Sequence, residues 1–185
     1  MSAFLFAMVA VFALSLGGRD QMRVAILADR LGRSWGLLVA GCLTAIATAA
    51  IMAFAGAGIA EILPPAGKQM LVAFALIASA FELLLPVRIR VPAEPTRSLG
   101  AMTIILFVAQ IADAGRFVVF ALAALYPHFE LTGAGGALGG CLAILLGWRM
   151  AGNLAERPWR AVRIALAVVL AIAGAIIGLS VRGLL

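Results

Sequence analysis

Six long apolar segments dominate this sequence. A helix needs roughly 20 residues to cross about 30 Å of hydrocarbon, and most of the segments reach that length. Open strands would leave backbone groups unpaired in lipid, and the prolines lie between segments or at their ends, as is typical of helix boundaries. The sequence therefore predicts an all-α integral membrane protein with six transmembrane helices. The predicted spans are Ser2–Gly18, Trp35–Ala60, Ala66–Val87, Ser98–Leu125, Leu131–Trp148 and Ala161–Val181.

The composition excludes a soluble globular domain. Of 185 residues, 65% are hydrophobic and 12% are charged, whereas soluble domains are nearer half apolar and a quarter charged. The lipid bilayer is the expected environment, and the net charge of +6 indicates membrane orientation rather than nucleic-acid binding. Cys42 and Cys141 lie singly in apolar runs, so they predict neither a disulfide framework nor a metal pair.

The positive charges are divided unevenly between the two ends of the spans. Eleven arginines lie in the first, third and fifth connections, against Lys68 and Arg182 on the opposite side, with Arg116 left inside a span. Because cytoplasmic loops carry the excess of Lys and Arg, both termini are expected to face away from the cytoplasm. This predicts a multi-pass protein of a bacterial inner (plasma) membrane.

Three pairs of stretches indicate an internal repeat. Residues 12–31 align with 107–126, and "AGCLTAIA" from Ala40 aligns with "GGCLAILL" from Gly139. A third pair places Glu61 over Glu156. Each half then has three helices, and an odd number places the halves in opposite orientation, the inverted-repeat plan of many secondary transporters. The predicted units are 1–87, a cytoplasmic basic linker at 88–97, and 98–185.

The polar interruption in each half resembles the motif of a cation/proton exchanger family. This GDT-one family, or uncharacterised protein family sixteen, includes Golgi manganese/calcium exchangers and bacterial manganese exporters. Its motif in each half is Glu-x-Gly-Asp-[Lys/Arg]-[Thr/Ser], usually followed by Gln. The first copy here aligns with Ser15, Gly17, Gly18, Arg19, Asp20 and Gln21, and the second begins at Gln110 and keeps its acid as Asp113.

The resemblance implies a secondary transporter that exchanges a cation such as Mn²⁺ or Ca²⁺ against protons. Hard cations prefer carboxylate, carbonyl and hydroxyl oxygens, and the same carboxylates can bind protons when the metal leaves. Asp113 is the one family acid still in place, so it is the expected metal ligand. Ser15 and Gln110 offer neutral oxygens, and Asp20 lies two residues beyond the lost acid. Such a site would bind a divalent ion more weakly, or would bind a monovalent ion or protons alone.

Arg116 is an unusual residue within a span. Gln110, Asp113 and Arg116 have the spacing of one helix face, and a charge at the bilayer centre costs roughly 3 kcal/mol or more. We therefore expect Asp113 and Arg116 to interact directly or through water, with the guanidinium partly replacing the metal. The alternatives are an Arg116 that extends to the interface and an Asp113 that only makes a helix-packing hydrogen bond.

Glu82 is a further acidic residue within a predicted span, and two roles are open for it. Glu82 either faces the interior and serves in proton passage, or pairs with Arg88 or Arg90 at the interface.

The glycine run from Thr132 to Cys141 lacks the context of a phosphate-binding loop. Small residues let helix backbones approach closely, so the fifth span is expected to pack tightly near the second.

Two functional hypotheses remain open at this point. The first is a cation transporter that works by rocking of its two halves, and the second is a non-transporting relative that serves as a membrane subunit or scaffold, as part of a homo- or hetero-oligomer. The chain contains no HExxH, GxSG or histidine cluster, so neither an enzyme nor a cofactor is predicted.

Overall fold

The computed structural model describes residues 1–87, 98–154 and 158–183. Throughout these ranges the regular structure is helical, which confirms the predicted class. The α-helices are α1 (Ser2–Ser15), α2 (Arg19–Leu31), α3 (Trp35–Glu61), α4 (Pro65–Leu84), α5 (Leu99–Ile111), α6 (Ala114–Leu125), α7 (Phe129–Met150) and α8 (Trp159–Val181), with a short 3-10 helix at Ala151–Leu154.

Four helices are individually long and apolar enough to cross a membrane: α3, α4, α7 and α8. Two further candidates are bent pairs. The chain bends by 61° between α1 and α2, and by 57° between α5 and α6. The described part of the chain therefore has four to six candidate spans, as expected of a multi-pass membrane protein.

The prediction that residues 19–34 only connect two spans is wrong, because helix α2 occupies most of that segment. The arginine count places Arg19, Arg23 and Arg30 in a connection between two spans. Its buried residues recur at helical spacing (Asp20, Gln21, Val24, Ala25 and Ala28), which is the pattern of an amphipathic helix. The arginines other than Arg19 lie on the opposite face or at the end of that helix, so an arginine count alone cannot separate it from a loop.

Helix α7 lies at the centre of the fold, between α1 and α3. A Cβ atom on Gly135 or Gly139 would collide with the backbone of α1, at the carbonyl groups of Phe4 and Met8. On the side facing α3, a Cβ on Gly133 would lie 3.1 Å from that of Ala53. The expected close packing of the fifth span against the second is thus confirmed, and α1 is a second tight neighbour.

Helices α4 and α8 pack extensively against each other, and α4 also packs against α6. The side of α4 that faces the protein buries two polar residues one turn apart, Ser79 at 0% and Glu82 at 4% exposure. This face brings α4 next to both bent helix pairs.

Candidate functional site

The two bends coincide with the two predicted motifs. The first break comprises Leu16, Gly17 and Gly18, between α1 and α2, and the second comprises Ala112 and Asp113, between α5 and α6. Irregular backbone at membrane depth is tolerated where protein surrounds it. Each break leads directly into a helix N-terminus, where unpaired N–H groups and the helix dipole favour negative charge.

Gly17 makes the first break possible. Its φ is +67°, in the left-handed region where a Cβ is disfavoured. A Cβ there would also collide with the side chain of Trp159 on α8. Its N–H donates to Gln21 Oε1 at 2.8 Å, so a side chain of the following helix satisfies the interrupted backbone.

Asp20 and Gln21 secure the start of α2. Asp20 is 2% exposed, and its Oδ1 accepts from the N–H of Gln21 at 2.7 Å. The Gln21 side chain also links α2 to α7, because its Nε2 donates at 3.0 Å to the Ala143 carbonyl. The first motif is therefore held from both halves of the chain.

The second break is built by Asp113 as the N-cap of α6. Asp113 is 4% exposed, and its Oδ2 accepts from the Gly115 N–H at 3.1 Å. Gln110, fully buried near the end of α5, donates through Nε2 to the Gly41 carbonyl at 3.3 Å. The prediction that Gln110, Asp113 and Arg116 lie on one continuous helix face is wrong, since the chain changes direction between Gln110 and Arg116.

Arg116 points into the protein. It is 1% exposed, so the alternative of an interfacial arginine is wrong. Its Nε donates to Thr48 Oγ1 on α3 at 2.8 Å, and its Nη2 would lie 2.8 Å from a Cβ on Gly140 of α7. The guanidinium is within electrostatic range of both Asp20 and Asp113, although no ion pair within 4 Å is found for it in the described residues. A direct ion pair between Arg116 and Asp113, one of the two forms of the expected interaction, is therefore not formed.

The fold brings the two breaks together. Ser15 Oγ of the first motif would lie 3.6 Å from a Cβ on Gly115, beside Asp113 of the second. Helix α4 contacts both breaks, because Ser79 Oγ lies 3.1 Å from the Ala114 carbonyl while Glu82, one turn later, binds Arg19. Asp20, Asp113 and Glu82 also interact electrostatically. The site accordingly combines residues from both halves.

Glu82 lies in the interior between two arginines. Its Oε1 accepts from Arg19 Nη2 at 2.7 Å and from Nε at 3.1 Å. Its Oε2 lies 3.4 Å from Nη2 of Arg163, which is 3% exposed. Of the partners that the sequence offered, Arg88 and Arg90 lie outside the described residues, as does the rest of the 88–97 linker.

A cavity of about 600 Å³ adjoins the first break. Gly17, Trp159 and Arg163 line it, together with Arg160 and apolar residues of α2 and α4. Since Arg163 binds Glu82 and Gly17 forms the bend, this cavity reaches the edge of the two-break site.

The Glu82 pair yields a first testable prediction. Glu82→Gln should lower the free energy of unfolding by about 3 kcal/mol, because it leaves the charge of Arg163 buried without a carboxylate. The matched control is Glu61→Gln, at an exposed residue, for which we expect a change within about 0.5 kcal/mol. Thermal unfolding in detergent measures both. Equal stabilities would show that Glu82 is not the partner of a buried arginine.

Sequence reasoning missed three residues of this site: Thr48, Ser79 and Arg163. Thr48 follows Thr44 at i, i+4 in an apolar helix, a spacing that could have indicated a polar stripe facing the interior. Arg163 was counted among the arginines of a connection, but it lies inside α8. No feature of the sequence around Ser79 marks it.

The described residues contain no group of three or more His, Cys, Asp or Glu side chains arranged to hold a metal ion. In comparisons with known families, curated proteins and solved structures, the chain matches no family model, no curated protein and no solved structure.

Proposed function

We propose that this protein is a secondary transporter that exchanges a cation against protons, with its site at the two helix breaks. The observation that carries the proposal is the pair of buried carboxylates, Asp20 and Asp113, each at the start of a helix that begins inside the protein. Discontinuous helices that meet at the interface of two repeats are the typical binding sites of secondary transporters. Intramembrane acids are costly and therefore indicate function.

The helix contacts support an inverted repeat of two three-span units. Helix α1 packs on α7, and its counterpart α5 packs on α3, the counterpart of α7. Equivalent positions also exchange partners. A Cβ on Gly41 would lie 2.8 Å from Ile144, and one on Gly140 would lie 3.3 Å from Ala45. Cys141 Sγ donates to the carbonyl of its own counterpart, Cys42, at 3.6 Å, as expected close to a two-fold axis.

The chemistry of the site suits both cations and protons. Carboxylate, hydroxyl and amide oxygens are ligands of hard cations, and Asp113, Ser15 and Gln110 supply one of each kind. The resemblance to the GDT-one family favours Mn²⁺ or Ca²⁺ as cargo and Asp113 as the ligand. The arginine distribution favours a bacterial inner membrane with both termini outside the cytoplasm.

Uptake into proteoliposomes tests the proposal. We expect purified protein to accumulate at least one of Mn²⁺, Ca²⁺ and Na⁺ when a pH gradient is imposed, and to lose that uptake when the gradient is collapsed. Protein-free liposomes control for leakage. Absence of gradient-dependent uptake of any cation by correctly folded protein would contradict transport.

A second function, that of a non-transporting membrane subunit or scaffold, is favoured by one observation. Arg116 and Arg163 are basic side chains buried beside the acids, so part of the charge that would attract a cation is already balanced. Stable protein that carries no cation, but purifies from membranes with another membrane protein, would support this alternative.

A further inference from the structure

Two cysteine side chains meet at a place that the two-break site does not use. Cys42 lies in α3 and Cys141 in α7, and they are the only two cysteines in the sequence. Cys141 Sγ lies 3.6 Å from the carbonyl oxygen of Cys42, and the two thiols are close enough to share a hydrogen bond. Their positions in the sequence, 99 residues apart, do not predict this contact.

The backbones of α3 and α7 approach each other closely beside this pair. Each cysteine follows a glycine. A Cβ on Gly41 would lie 2.8 Å from Ile144 Cγ2, and one on Gly140 would lie 3.3 Å from the Cβ of Ala45. A disulfide needs two Cβ atoms within roughly 4.5 Å of each other, and helices that touch at small residues are close enough for this.

The two thiols are free and only partly buried. They belong to helices that are candidate membrane spans, and the next residue in each helix, Leu43 or Leu142, is an exposed apolar side chain. The surface around the pair therefore suits lipid. A small uncharged oxidant that enters the membrane can reach the pair without unfolding of the protein.

We propose that Cys42 and Cys141 are a redox-modification site, at which a peroxide converts the two thiols into a reversible disulfide. With hydrogen peroxide, one sulfur attacks an oxygen atom, the O–O bond breaks, and a sulfenic acid and one water are formed. The second sulfur displaces the hydroxyl group of the sulfenic acid, which leaves as a second water while the S–S bond forms. The sulfurs give up two electrons, the peroxide accepts them, and both thiol protons end in water.

The disulfide would join the two halves of the chain, because α3 belongs to the first and α7 to the second. A reducing thiol restores both cysteines by exchange, as is typical of the transient disulfides that sense redox conditions. The bond itself does not depend on the proposed function. Its effect on transport does, since it would hold the halves in one arrangement.

Mass measurement after oxidation tests the proposal. Protein in detergent is treated with hydrogen peroxide, then unfolded, alkylated with iodoacetamide and weighed intact. We expect wild type to be lighter by two hydrogen atoms and to take up no label, and to label at both thiols after reduction with dithiothreitol. The oxidised protein should also unfold at least about 5 °C above the reduced protein.

Two variants control for thiol reactivity and for proximity. Cys42→Ser keeps one thiol, which should stop at the sulfenic acid and be trapped by dimedone, and the amount of peroxide is set by this variant. The double variant Cys42→Ser with Leu43→Cys keeps two thiols but moves one to a side chain position that is 59% exposed, so it should form no internal disulfide.

Three results would overturn the proposal. They are wild-type thiols that stop at sulfenic acid, disulfides that join separate molecules on a non-reducing gel, and an internal disulfide formed equally well by the double variant. Uptake into proteoliposomes then separates the bond from the proposed function. We expect oxidised wild type to lose uptake and to regain it on reduction, and full uptake by disulfide-bonded protein would overturn rocking of the two halves while the bond stands.

Discussion

Asp113→Asn is expected to reduce gradient-driven cation uptake to the level of protein-free liposomes while leaving the fold intact. Asparagine caps a helix about as well as aspartate, so the bond to the Gly115 N–H that begins α6 is preserved. The substitution removes the buried negative charge. The site then attracts a cation less strongly and has no carboxylate at this position to bind a proton. Uptake and thermal stability, measured on the same preparation, test the two halves of this expectation.

Two other variants distinguish the loss of the helix cap at Asp113 from the loss of its negative charge. Asp113→Ala removes both, so it should lose uptake and also about 1 kcal/mol of stability. Asp29→Asn makes the same chemical change at an exposed position on α2 and should keep wild-type uptake. If Asp113→Asn retains gradient-driven uptake, Asp113 does not bind the cation or the proton.

Gly135→Ala is expected to lower the free energy of unfolding by about 3 kcal/mol, the largest stability loss for so small a change. The added methyl group would meet the carbonyl of Phe4, which belongs to the backbone of α1 and cannot rotate away. Helices α1 and α7 must therefore move apart, and this displaces Ser15 at the end of α1. Thermal unfolding in detergent measures the loss.

Gly58→Ala is the matched control. Gly58 lies in α3 with no atom within 4 Å of its added Cβ, so the same substitution should stabilise the helix by up to about 1 kcal/mol. The two variants are thus predicted to shift the unfolding temperature in opposite directions. A Gly135→Ala protein as stable as Gly58→Ala would show that α1 and α7 are not in backbone contact.

The long apolar helices were the most predictable part of this fold. Trp35–Ala60 was predicted and α3 ends at Glu61, because length and hydropathy alone decide whether a segment suits lipid. The two bends between helices were harder to predict from the sequence. The predicted span Ser2–Gly18 ends three residues after α1, which ends at Ser15. Helix α2 was not predicted, since a helix and a loop rich in arginine have similar composition.

The residues beside the two breaks were singled out from the sequence, and their contacts were predicted only in part. The motif alignment identified Asp20, Gln21, Gln110 and Asp113, because polar residues inside apolar segments need a structural or functional reason. It did not predict that α5 and α6 are separate helices, since Ser98–Leu125 was expected to be one continuous span. The binding of Arg116 to Thr48, and of Glu82 to Arg163, joins residues 68 and 81 positions apart. Such pairs depend on which helices become neighbours, and a single sequence does not contain that information.

The contacts of two helices limit how this protein can move. Glycines of α7 place it against the backbone of α1 and against Ala53 of α3, so sliding of α7 along α1 would force backbone atoms together. Helix α4 packs on α6 and α8, and its Glu82 binds Arg19 of α2 and Arg163 of α8. Any displacement of α4 away from α2 would therefore have to break the Glu82–Arg19 ion pair.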